Sequence, residues 1–95
     1  MPAIGVLTME LRIEHARSLK DKRHVVKSLK ERLRNRHNIS IAEIDYQDVW
    51  QSALIAAVTV SSSRGLAEQI LNAVERDAVS EVGGMLISAG IEWLE

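Results

Sequence analysis

A chain of 95 residues, 46% hydrophobic, reads as one domain, residues 1–95, with room for one packed core and not for two. It has no cysteine, which excludes disulfides, thiolate nucleophiles, zinc–thiolate sites and iron–sulfur clusters and fits a cytoplasmic protein. The net charge of −1 hides a strong asymmetry: Arg17 to Arg36 carries nine of the twelve Lys and Arg against Asp21 and Glu31, giving +7, and the remainder carries −8.

The opening Met-Pro-Ala-Ile-Gly-Val-Leu is apolar but has no basic n-region, and Glu10 and Arg12 soon interrupt it, so it reads as a strand and not a signal peptide. No apolar run approaches the roughly 20 residues that span a bilayer. Ile4 to Glu14 alternates, with Leu7, Met9, Leu11 and Ile13 on one face, which predicts a half-buried strand. Ser18, with Asp21 three residues on, starts a helix through a variant capping box. Leu19, Val26, Leu29 and Leu33 form its apolar side, and Asn38 is its expected stop, as a residue that tolerates left-handed backbone.

Ile39 to Ile44 predicts a second strand, followed by a polar connection through Asp45, Tyr46, Gln47, Asp48 and Trp50. Leu54 to Val60 is apolar on both faces and predicts a third, central strand. Ser61, Ser62 and Ser63 offer an N-cap for a second helix striped by Leu66, Ile70, Val74 and Ala78 and ended by Gly83 and Gly84. Met85 to Leu94 predicts a fourth strand in which Met85, Ile87, Ala89, Ile91 and Trp93 share a face. The order βαββαβ is the ferredoxin-like arrangement of the α+β class, a four-stranded antiparallel sheet with two helices on one face. The open face is expected to carry Val6, Thr8, Glu10, Arg12, Ile55, Ala57, Thr59 and Ser88, and to serve self-association as a homodimer or higher homo-oligomer.

On a helical projection, Lys20, Arg23, Lys27, Lys30 and Arg34 fall between about 20° and 100° from Leu19, one stripe beside the apolar side. At about 1.5 Å per residue the stripe runs roughly 21 Å, long enough to meet several successive phosphates. A solvated face is the alternative, because Lys and Arg are good helix formers. Like charges at i+3 and i+4 repel, however, and a face under no other demand would intersperse glutamate. Lys22 lies on the apolar side, where it is expected to snorkel toward solvent or a carboxylate.

The run Ala16-Arg17-Ser18-Leu19-Lys20-Asp21-Lys22-Arg23, with Val25-Val26-Lys27-Ser28-Leu29, resembles the signature of the YlxP-like family of small bacterial proteins. Residues 38–43 (NISIAE), Asp45-Tyr46-Gln47-Asp48 and Trp50-Gln51 resemble its second block. The resemblance implies a ferredoxin-like fold and carries over no catalytic residue, because the family is functionally uncharacterised. Its members are often encoded beside translation-initiation and ribosome-maturation factors, which implies RNA or the ribosome as a partner.

Other candidate sites are weaker. Asp45, Gln47, Asp48 and Trp50 suit an interaction surface better than a cation site, because the glycine and terminal glutamate of a calcium loop are missing. His15, His24 and His37 lack metal-ligand spacing, and neither metal nor cofactor is expected. Ser61 to Arg64 could hold a phosphate at a helix start or act as a plain cap. The first and third strands carry no aromatic to stack bases, so RNA would be met through the helix and its phosphates, favouring structured RNA. The expectation is a non-enzymatic protein that contacts RNA or the ribosome, the alternative being an oligomeric protein–protein interaction module.

Overall fold

The computed structural model describes residues 1–94. Strand β1 (Ala3–Arg12) is followed by helix α1 (Leu19–Arg36), strands β2 (Ser40–Asp45) and β3 (Ser52–Ser61), helix α2 (Arg64–Val82), a 3-10 turn (Gly83–Met85) and strand β4 (Leu86–Leu94). The sheet order is β2-β3-β1-β4 with every pair antiparallel, the ferredoxin-like topology that the sequence pattern predicts. Both helices cover one face: α2 lies on β1 and β3, and α1 packs beside it against β2.

Helix α1 begins where expected. Ser18 is extended and its hydroxyl accepts from the Asp21 N–H at 3.1 Å, while Asp21 Oδ2 accepts from the Arg17 N–H at 2.9 Å. Two helix-start donors are thereby satisfied. The helix does not end in left-handed backbone at Asn38. His37 is the cap, extended at φ −134°, and its N–H bonds to Leu33 O. In α2, Ser63 is the cap, accepting from the Leu66 N–H at 3.1 Å, and Gly83 closes the helix at φ 57°, a region costly for any residue with a Cβ.

The core joins Leu7, Met9, Leu11 and Ile13 of the first strand and its continuation to Leu29 and Leu33 of α1 and to Leu71, Val74 and Ala78 of α2. Helix α2 buries Ala67, Leu71, Val74, Ala78 and Val82, so its buried stripe is turned from the expected one and Leu66 stays 51% exposed.

Strand β3 corrects the expected open face. Antiparallel register sets Leu7 against Ala57 and Met9 against Ile55, and directly paired residues share a face. Ile55, Ala57 and Thr59 therefore point into the core, where all three are buried. The buried Thr59 hydroxyl is satisfied by donating to Asn38 O at 2.8 Å. Leu54, Ala56, Val58 and Val60 occupy the open face beside Val6, Thr8, Glu10 and Arg12, and Ser88 pairs with Glu10 there.

In β4 the register shifts, with Glu10 opposite Ser88 but Leu11 opposite Leu86. The extra residue is Ile87, which departs from the expected alternation: it is turned out and 52% exposed, and Leu86 packs against the core in its place. Among the described residues, no helix is long and apolar enough to cross a membrane.

Candidate functional site

The basic residues of α1 separate into three groups by position. Val26, Leu29 and Leu33 fix which side of the helix faces the sheet, and everything else follows from the 3.6-residue period. On one flank Arg32 and Arg36 face α2, which runs antiparallel. Arg32 Nε meets Glu81 Oε2 at 3.0 Å, and Arg36 Nη1 lies 3.9 Å from Asp77 Oδ1. His37 Nε2 is 2.6 Å from the other Asp77 oxygen. The His37 hydrogen bond is the main reason that the Asp77 carboxyl is held below its usual range, aided by the positive charges of His37, Arg36 and Arg32 against a smaller opposing effect of burial.

On the other flank stand Lys20, Arg23, Lys27, Lys30 and Arg34. All are exposed except Lys30, which is half-buried, and none forms an ion pair among the described residues. Lys20, Arg23 and Lys27 line an open groove of about 460 Å³ together with His15, Asp21, His24 and Val25. Lys30 and Arg34 continue the stripe beyond it. The groove joins His15 of the β1–α1 connection to the helix, a neighbour that helical spacing cannot reveal. Asp21 brings one negative charge to its edge, already engaged by the Arg17 N–H.

Lys22 forms the third group, alone. It is 1% exposed and does not reach solvent. Its ammonium lies 2.8 Å from Glu43 Oε2 and donates to Val49 O at 2.8 Å and to Tyr46 O. Two of these contacts are hydrogen bonds to carbonyls, and the third is an ion pair, since Glu43 Oε2 has no hydrogen-bond partner among the described residues. The carboxylate limb of the snorkelling expectation is met, and the solvent limb is not.

The acceptors are the end of β2 and the connection to β3. Lys22 holds that connection by its backbone, with Tyr46 in left-handed backbone at φ 65° and Asp45 Oδ1 accepting from the Tyr46 N–H at 2.7 Å. Gln51 fastens the other side. Its Nε2 donates to Glu14 O and Ala16 O, and its carbonyl accepts from the Ile13 N–H at 2.9 Å.

Asp45, Gln47, Asp48 and Trp50 are all exposed on this connection, Trp50 at 51%. Asp48 and Trp50 line an open groove of about 580 Å³ with Ala16, Arg17, Val49 and Gln51; Asp45 and Gln47 do not. The two segments that carry the family resemblance, residues 16–23 and 45–51, therefore meet at one end of the molecule. Lys22 joins them from inside and Gln51 from the rim. Among the described residues, no group of three or more His, Asp or Glu stands close enough to share a metal ion.

Comparison with known proteins agrees with this geometry at the level of fold and family. A designed protein with a ferredoxin fold matches 99% of this chain and 84% of its own, at a TM-score of 0.53 and 15% identity. A dimeric ferredoxin-like protein of unknown function from Thermobifida fusca matches 96% and 90%, at 0.50 and 12%. The YXEP protein of Bacillus subtilis, a dinuclear metal-binding peptidase of the M20 family, is similar over 26% of its length at 0.64 and 12%. At such identities the likeness is one of fold alone. In sequence, the uncharacterised protein YlxP of Bacillus subtilis (strain 168) is 45% identical over 71 residues, 75% of this chain and 77% of that one. The model of a family described as protein of unknown function (DUF503) matches residues 4–90, and the chain belongs to that family.

Proposed function

We propose that the protein is a non-enzymatic binder of structured RNA, such as ribosomal RNA, that meets the phosphate backbone with the outer stripe of α1. The carrying observation is the division of the helix's cations. Arg32 and Arg36 are matched by acids on α2, whereas Lys20, Arg23, Lys27, Lys30 and Arg34 form no ion pair among the described residues. A rigid helix holding like charges at i+3 and i+4 stores repulsion that a polyanion relieves, with release of the counterions condensed on it. His15 and His24 in the groove add ring nitrogens able to donate hydrogen bonds to phosphate oxygens. The β1 and β3 strands lack aromatic side chains, so base stacking on the sheet contributes nothing and duplex geometry is favoured over single strands.

Binding of a labelled RNA hairpin and of an unstructured homopolymer of equal length tests this reading. The hairpin is expected to bind more tightly, and equal or absent binding contradicts the proposal.

A second reading, a protein–protein interaction module, rests on the exposure of Trp50 and Val49 on a connection immobilised by Lys22. A fixed exposed tryptophan costs little entropy to bury and suits an anchor. The version in which α1 pairs with the acidic side of another α2 is disfavoured, because Asp77 and Glu81 are already engaged within the chain.

A further inference from the structure

The sheet face that carries no helix is an apolar surface that no other element of the described residues covers. Across β1 and β3, Ile4 pairs with Val60, Val6 with Val58, Thr8 with Ala56 and Glu10 with Leu54. All eight point away from the helices, because the alternate residues, from Gly5 to Leu11 and from Ala53 to Thr59, are buried. Val60 remains 57% exposed, and Leu94, opposite Ile4 on β4, 53%. Thus six of the eight central positions are aliphatic on a face that water would otherwise cover.

Its size and chemistry indicate the occupant. Strands of ten, ten, nine and six residues, at about 3.4 Å per residue and about 4.8 Å between strands, give a face of roughly 600 Å². A standard interface takes about 800 Å² from each partner, so the whole face, polar edges included, would supply most of one side of such an interface. The centre of the surface is a pleat of Val, Ala, Ile and Leu with no aromatic to stack a base, and Arg12 is its one cation among the described residues. Rows of that kind interdigitate with another such pleat about 10 Å away. The charges, Glu10 and Arg12 at one end of β1 and Glu92 on β4, lie around the apolar centre as an interface rim does.

We propose that a second copy of the chain covers this face, forming a back-to-back dimer in which β1 and β3 of the two copies stack. The helices then lie on the outside, and the two α1 stripes face opposite directions.

Light scattering after size exclusion should give twice the chain mass, and the thermal midpoint should rise with protein concentration, a readout that needs no variant. Val6→Lys with Val58→Lys should halve the mass and leave the circular dichroism spectrum unchanged. If that pair fails to fold, Val60→Lys at the exposed end should shift the equilibrium toward monomer. Reversing the helix stripe with Lys20→Glu, Lys27→Glu and Arg34→Glu should leave the mass doubled. A monomeric wild type with a concentration-independent midpoint overturns the proposal. So does a dimer that survives these lysine substitutions, or one lost on stripe reversal alone.

Discussion

Lys22 Nζ lies 2.8 Å from Glu43 Oε2 inside the protein, joining the first turn of α1 to β2 across 21 residues of sequence. The lysine side chain is 2% exposed and the glutamate 17%, so water screens the pair little. Removing one partner of such a pair strands the other. Lys22→Met should therefore cost about 3–5 kcal/mol, read from urea unfolding. Lys22→Met combined with Glu43→Leu should recover part of that loss, though the carbonyls of Tyr46 and Val49 remain without their donor. A loss below about 1 kcal/mol for Lys22→Met would show that water enters the site.

Gly5 is fixed by its neighbours. A Cβ there would lie 2.7 Å from Leu71 Cδ1 and 2.9 Å from Trp93 Cζ3, and Trp93 is itself held under the Arg64 guanidinium at 4.6 Å. Gly5→Ala should destabilise by about 1–3 kcal/mol through overpacking and alter the tryptophan fluorescence. Gly90→Ala, where a Cβ meets nothing within 4 Å, should be close to neutral and serves as the control.

Acid stability should report Asp77. Its folded carboxyl titrates below the ordinary value, chiefly through the His37 hydrogen bond. The charged form is therefore favoured by folding, and its stabilisation is present above the ordinary carboxylate pKa and is lost as pH falls through the lower folded one. Asp77→Asn should flatten the acid limb of a stability profile below about pH 4. An unchanged acid limb would mean that the His37 contact does not form in solution.

Arg32 and Arg34, two residues apart, should behave differently. Arg32→Ala removes a partly exposed pair with Glu81 and should cost about 0.2–1 kcal/mol of stability with little effect on the salt dependence of RNA binding. Arg34→Ala should leave stability unchanged and reduce the magnitude of that salt dependence by about one phosphate contact. The reverse pattern would put the RNA-facing side of α1 against α2.

The element order, both helix starts and the α1 stripe are legible from the sequence, because Ser18, Ser63 and the 3.6-residue period are local signals. Strand β3 is not legible in phase. Residues 53–60 are apolar on both faces except for Thr59, and only the pairing of Leu7 with Ala57 decides which face turns inward. The bulge at Ile87 is likewise set by Leu11 and Glu10 on β1. Lys22 stands out as a charge on an apolar side, but its acceptors lie 21 to 27 residues away in a connection with no pattern of its own. The engagement of Arg32 and Arg36 also depends on how α2 docks, so no local signal marks these two as paired.

The most direct test of the central claim is the affinity for an RNA hairpin measured over a series of salt concentrations. The log of the binding constant should fall linearly with the log of salt, with a slope of up to roughly −4.5 for five phosphate contacts. Joint reversal of Lys20, Lys27 and Arg34 to glutamate should weaken binding and flatten the slope while the fold persists. Binding that is absent, indifferent to salt or unmoved by the reversal would contradict a phosphate-facing role for α1.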